Sequence, residues 1–214
     1  MKTLLKHYLS RLGLLPHLDA LRRLPETLRW INNGCTGFAP PPVKRKILWA
    51  YLHKYAISQF IETGTHLGDT LAYIAQDKTK RCTSIELADV YYYQALTRFK
   101  SYSNVRLLHG DSGILMPALV KQLSAPALFW LDGHYSGGLT GQGEIDTPVS
   151  AELMEILTSP CKTHVILIDD ARFFNGSNGY PHLDDLIKTV REQSDYCVEV
   201  SADIIRITPI SSFQ

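Results

Sequence analysis

Cysteine is scarce and badly spaced for chemistry: Cys35, Cys82, Cys161 and Cys197 are far apart and form no Cys-x-x-Cys pair. That excludes a zinc ribbon or a dithiol redox motif, and all four read as reduced packing residues. Long apolar runs are also missing, so nothing approaches the roughly 20 residues needed to cross a bilayer. Near the start, Lys6, His7, Ser10 and Arg11 interrupt the leucines, which removes the apolar centre of a secretory signal and makes the cytoplasm the expected location. Charge of one sign is lacking too. A net charge of +1 argues against nucleic acid as a partner. No internal repeat or low-complexity tract is visible.

What the chain does have is apolar content. With 214 residues, 45% of them hydrophobic, it can bury a full core without disulfide or metal staples. Its charge is balanced overall but unevenly spread: residues 1–46 hold nine Lys or Arg against Asp19 and Glu26, leaving an acidic remainder. Leu4, Leu5, Tyr8, Leu9 and Leu12 recur at helical spacing, as do Leu18, Leu21, Leu24 and Leu28 after Pro16. These read as two amphipathic basic helices. They are expected to cover one face of the core or to pair with a second subunit as a homodimer; the sharper alternative is peripheral contact with an anionic membrane. Phe38-Ala39-Pro40-Pro41-Pro42 reads as a linker or lid segment. The expected division is a basic helical extension with a Pro-rich linker over 1–46 and a single domain over 47–214.

The most informative stretch is Phe60-Ile61-Glu62-Thr63-Gly64-Thr65-His66-Leu67-Gly68-Asp69-Thr70, an apolar run joined to a Gly-x-x-x-Gly turn that opens a helix. Glycine there lets backbone approach a ligand and lets the next helix pack on its strand. Dinucleotides and S-adenosylmethionine are the candidate ligands. A dinucleotide fingerprint is Gly-x-Gly-x-x-Gly, and His66 stands where close phosphate packing would want a glycine, so a ligand without phosphates fits better. Two further strands follow. Cys82 to Leu87 carries Glu86, placed to bond ribose hydroxyls or to favour the next helix dipole. Val105 to His109 leads into Gly110-Asp111-Ser112, where Asp111 is either an adenine acceptor or a helix N-cap.

Ala127-Leu128-Phe129-Trp130-Leu131 delivers Asp132, His134 and Tyr135 into a glycine-rich loop, and His164 to Ile168 runs into Asp169-Asp170-Ala171-Arg172. Polar groups at the carboxyl ends of strands belong to sites in open α/β sheets. If the two strands are neighbours, Asp132, Asp169 and Asp170 form a hard-oxygen set suited to Mg²⁺, Mn²⁺ or Ca²⁺, whereas without a cation they would repel one another. Side-chain alternation leaves open that one of Asp169 and Asp170 points away.

In order, Glu-Thr-Gly-Thr-x-x-Gly-Asp-Thr, Ser-Ile-Glu-Leu, His-Gly-Asp-Ser, Trp-Leu-Asp-Gly-His-Tyr-Ser-Gly-Gly and Ile-Asp-Asp-Ala-Arg resemble the class I S-adenosylmethionine-dependent methyltransferases over about Ile57 to Ile207. The likeness is nearest to a bacterial branch around the macrocin-type sugar O-methyltransferases, and the three aspartates are similar to the metal site of catechol-type enzymes. The resemblance implies a Rossmann-like α/β sheet in order 3-2-1-4-5-7-6 with the last strand antiparallel. By the same resemblance, Glu62, Gly64 and Gly68 hold the methionine part of the cofactor, Glu86 its ribose and Asp111 its adenine end, with Thr65, Thr70 and Ser112 as further cofactor-binding residues. Asp132, Asp169 and Asp170 bind the cation, Mg²⁺ foremost.

Methyl transfer to an alcohol needs the hydroxyl made more acidic or deprotonated as the bond forms. A cation does the first and His134, near Asp132, is the expected base for the second. Tyr135 and residues 137–146 would shape the acceptor pocket. The expected acceptor is a sugar, glycan or related hydroxylated small molecule. Two alternatives stand beside this reading. One is a metal-dependent hydrolase or hydroxylase using the same aspartates; the other is a non-catalytic binding protein acting through its N-terminal helices.

Overall fold

The apolar runs at 127–131 and 165–168 are buried at every position. Such runs form central strands of a parallel sheet, which is covered by helices on both faces. A computed structural model of the chain describes residues 15–133, 147–193 and 195–210. Its strands are β1 (Gln59–Thr63), β2 (Arg81–Glu86), β3 (Val105–His109), β4 (Ala127–Leu131), β5 (Val165–Ile168), β6 (Tyr196–Ser201) and β7 (Ile204–Pro209). Among the described residues these seven form one sheet in the order β3-β2-β1-β4-β5-β7-β6. β1 to β5 pair in parallel, whereas β7 runs antiparallel to both β5 and β6. The expected sheet order and the reversed last strand are therefore present. The closing hairpin turns at Ala202 and Asp203, both with positive φ, a geometry that matches the twist of the flanking strands.

Alternation along the strands divides the core between the two faces of the sheet. Ile61, Phe129, Ile166 and Ile207 pack on one face with Met116 of α6 (Ser112–Lys121), Ile156 of α7 (Val149–Leu157) and Val190 of α8 (Leu183–Glu192). Phe60, Trp130 and Leu167 pack on the other with Leu48 and Leu52 of α3 (Pro41–Lys54), Leu71 of α4 (Asp69–Ile74) and Phe99 of α5 (Asp89–Phe99).

The Pro-rich stretch opens a helix rather than forming a linker. Pro40 is the N-cap of α3, and Pro41 and Pro42 fill its first turn, where a missing N–H costs nothing and a fixed φ suits the helix. α3 runs through the 46/47 division and buries Lys44 and Arg45 as well as its leucines. Among the described residues two short helices precede it, α1 (Leu15–Arg22) and α2 (Leu24–Asn32), while the expected helix over Leu4, Leu5, Tyr8, Leu9 and Leu12 lies outside the described residues. α1 is tied down where Arg45 donates to Asp19 at 2.5 Å. α2 buries none of its residues, and Leu18, Leu21, Leu24, Leu28 and Ile31 are exposed, so this stripe does not cover the core. Nor do all the cysteines serve packing, because Cys35 and Cys197 are exposed while Cys82 is buried. No described helix is long and apolar enough to cross a membrane.

Candidate active site

Register brings the site together. Thr63 pairs with Leu131, and Leu131 with Ile168, so Gly64, Asp132 and Asp169 follow on three adjacent strand ends. The ladder continues one step, with Asp132 N donating to Thr63 O at 3.2 Å and Asp169 N to Leu131 O at 3.0 Å. Gly64 must be glycine for two reasons. Its φ is +82°, and a Cβ would lie 2.5 Å from the Asp132 carbonyl oxygen. Gly68, also at positive φ, caps α4, where a Cβ would come 2.8 Å from the Phe99 ring.

The intervening loop is pinned from below. The Ser84 hydroxyl lies 2.7 Å from Glu62 Oε2 and 2.6 Å from Thr65 Oγ1. Burial pushes the Glu62 carboxyl up to about 8. His66 adopts positive φ, and its backbone N–H donates to Glu86 Oε2 at 2.7 Å. Ala88 N donates to Glu86 Oε1 at 2.8 Å, so a buried Glu86 clamps both the glycine loop and the entry to α5. Asp111 is the N-cap of α6 and accepts from Gly113 N at 2.8 Å. Ser112, the first residue of that helix, is buried.

A cleft of about 350 Å³ is lined by Glu62, Gly64, Thr65, Gly68 and Thr70 together with Asp132, Asp169 and Asp170. Eight of the residues singled out in the sequence thus share one cavity. Glu86, Asp111 and Ser112 are not in its lining; they stand along the same carboxyl edge, beyond β2 and β3. His134, Tyr135 and residues 137–146 lie outside the described residues.

Asp169 and Asp170 do not point apart. β5 ends at Ile168, and Asp170 takes φ +57° and ψ +46°, which breaks strand alternation and leaves both carboxylates buried beside a shared cation. That cation is Lys44. Its ammonium donates to both oxygens of Asp169 at 2.6 Å and lies 3.5 Å from Asp170 Oδ1. Arg172 donates to Asp170 Oδ1 at 2.9 Å and pairs with Asp203. Burial pushes the Asp169 carboxyl up to about 6 despite the opposing pull of Lys44. Burial and then the Asp169 charge hold Asp132 well above the usual carboxylate range.

The implied divalent cation does not fit this arrangement. Mg²⁺ or Ca²⁺ needs several oxygens at about 2.0–2.6 Å around a point left clear for it, and the ammonium holds the point that both Asp169 oxygens face. Among the described residues no group of three His, Cys, Asp or Glu side chains is set to hold a metal ion.

Sequence reasoning missed the far wall of the cleft, where Asp19, Arg23, Phe38, Lys44 and Arg45 face the strand ends. Lys44 sits 125 positions from Asp169, inside the stretch that reads as a basic extension and linker. No local spacing signals the pairing. Ser84 was passed over as an ordinary strand residue, although its place two positions before Glu86 marks it as pointing to the same face.

No protein-family model matches the chain, and no curated protein sequence matches it. Solved structures do. An O-methyltransferase of Streptomyces achromogenes involved in tomaymycin synthesis, in complex with S-adenosylmethionine, superposes with a TM-score of 0.59 at 14% identity, covering 80% of this chain and 81% of that one. An O-methyltransferase of Bacillus cereus in complex with S-adenosylhomocysteine gives 0.58 at 12% identity, covering 87% and 90%. A methyltransferase of Podospora anserina bound to S-adenosylhomocysteine gives 0.57 at 15%, covering 87% of each chain. Identities this low speak to architecture. By sheet order, strand direction and superposition, the chain has the Rossmann-like methyltransferase fold.

Proposed function

We propose that this chain is an S-adenosylmethionine-dependent methyltransferase acting on a hydroxyl of a sugar, glycan or related polyhydroxylated small molecule. The observation that carries the reading is the β1–α4 loop: two positive-φ glycines and an exposed backbone turn border a cleft lined by Glu62 and, directly beside Gly64, by Asp132. The similar structures named above bind S-adenosylmethionine or S-adenosylhomocysteine. In this reading Gly64, Thr65, Gly68 and Thr70 cradle the methionine end with Glu62 beneath. Glu86 stands toward the ribose, and Asp111 with Ser112 toward the adenine.

The cofactor supplies an electrophilic methyl on a sulfonium; the chain must orient the acceptor oxygen and take its proton. Asp132 stands at the end of β4 beside the loop, and its raised carboxyl makes it a stronger base than an ordinary aspartate. His134 shares this proton-accepting role in the proposal. The acceptor wall carries charges of both signs, with Asp19, Arg23, Lys44 and Arg45 lining the cleft together with the half-exposed Phe38. Hydroxyls both donate and accept, so a polyol satisfies such a wall where an apolar phenol would not. The hydrolase or hydroxylase alternative leaves the Glu62–Ser84–Thr65 support and the paired glycines without a task, and the binding-protein alternative leaves the raised Asp132 without one.

Calorimetric titration of the purified chain with S-adenosylmethionine and S-adenosylhomocysteine tests the reading. Saturable binding of both is expected, and absence of binding for both would overturn it.

A further inference from the structure

We infer that Lys44 is the built-in counter-cation of the Asp132, Asp169 and Asp170 cluster, so that the chain holds this site without a divalent metal and would gain a metal site if the lysine were removed. The ammonium meets Asp169 through both carboxylate oxygens at 2.6 Å and stands 3.5 Å from Asp170. On another side it lies 4.2 Å from the centroid of Phe38, a cation–π contact that holds the head group in place. Lys44, Asp169 and Asp170 are all buried, with relative exposures of 7%, 6% and 5%. A buried lysine of this kind is not a solvated side chain that happened to fold inward. Taking an ammonium out of water is costly, and only opposing carboxylates at contact distance offset it.

The placement is fixed by the backbone. Pro41 and Pro42 start α3 in one orientation, and Leu48 and Leu52 anchor its next turns in the core, which aims Lys44 at the ends of β4 and β5. A divalent ion at the same carboxylates would sit within a few ångströms of the ammonium, and like charges at that separation in a buried site repel strongly. The ion would have to expel the lysine from both Asp169 and the Phe38 face. With lysine gone, both oxygens of Asp169 would face Asp132 and an Asp170 still held by Arg172 at 2.9 Å, a set of hard oxygens of the donor chemistry that Mg²⁺ and Mn²⁺ take.

The test is Mn²⁺ binding followed by electron paramagnetic resonance on the full chain, comparing wild type, Lys44→Arg and Lys44→Ala. Wild type and Lys44→Arg are expected to leave Mn²⁺ free across the micromolar-to-millimolar range. Lys44→Ala is expected to melt at lower temperature, to take up one Mn²⁺ per chain, and to regain part of the lost melting temperature when Mn²⁺ is added. A saturable Mn²⁺ site in the wild type that disappears in Asp169→Asn would overturn the inference. So would a folded Lys44→Ala that takes up no Mn²⁺. Should Lys44→Ala fail to fold, the wild-type and Lys44→Arg titrations decide alone. The readout is metal binding and thermal stability, so the result stands whether or not methyl transfer is found.

Discussion

Single residues carry this site in ways that can be tested one at a time. Gly64 couples a left-handed backbone to a direct approach on the Asp132 carbonyl. Gly64→Ala should therefore cost about 1–3 kcal/mol of stability from strained φ and displaced backbone. Because the displaced atoms belong to the loop, calorimetry should also show the proposed S-adenosylmethionine binding weakened well beyond the stability loss; unchanged affinity would separate this loop from the ligand. Buried titratable groups make a second prediction. Burial pushes the Glu152 carboxyl up to about 7, from 4.5 in the unfolded chain. The folded state then holds a proton that the unfolded state releases, so stability declines as pH rises from about 4.5 to about 7. Glu152→Gln removes that loss, and urea unfolding should show its advantage over wild type growing between pH 5 and pH 8, to about 3 kcal/mol at most. His164 acts in the opposite sense. Burial pulls it down to about 4 while its Nδ1 accepts from Ala127 N, so it contributes stability that is lost as pH falls from 6.5 toward 4.

Among the elements, α3 does the most with the least sequence signal. Its prolines resemble punctuation, yet they sit where a helix tolerates them, and the helix they begin carries Lys44 and Arg45 to the cleft. Arg45, 3% exposed, meets Asp19 of α1 at 2.5 Å. Asp19→Ala should leave that guanidinium buried with its α1 partner gone and cost about 1–3 kcal/mol. α1 should then release from the cleft wall, visible as faster amide hydrogen exchange over residues 18–23 while β1 and β4 stay protected; uniform protection would show that other contacts hold α1. The strands were far more legible. Val105–His109 has the expected bounds, and Ala127–Leu131 and Val165–Ile168 announce themselves as short apolar runs ending in aspartate. The alternation rule left the direction of Asp170 open, because nothing local shows that this residue adopts φ +57° and lets its carboxylate join Asp169. Asp111 and Glu86 proved to have backbone tasks as cap and clamp, which are compatible with a ligand standing beside them.

Across the whole molecule, ligand binding and folding should be linked. Residues from β1, β4, α1, α3, α4 and the end of β5 line one cleft, and a ligand seated there would add a bridge to the core packing and the Lys44 and Arg45 ion pairs that already join these elements. In the proposed reading, S-adenosylhomocysteine at about 100 times its Kd should add about 2.7 kcal/mol to unfolding free energy, seen as a rise in melting temperature that scales with ligand concentration. No rise would contradict binding to the folded state. The sequence by itself marked the central strands, because hydrophobic period, glycine placement and acid-tipped strand ends are local patterns that survive without knowing what packs where; their order in the sheet followed only from the family resemblance. It also named the glycine loop and the three aspartates. Only the tertiary structure decided what neutralises those aspartates. Lys44 and Asp169 are far apart in the chain, and an ion pair between them is a property of how α3 docks on the sheet, set by the packing of Leu48 and Leu52 rather than by any motif around the lysine.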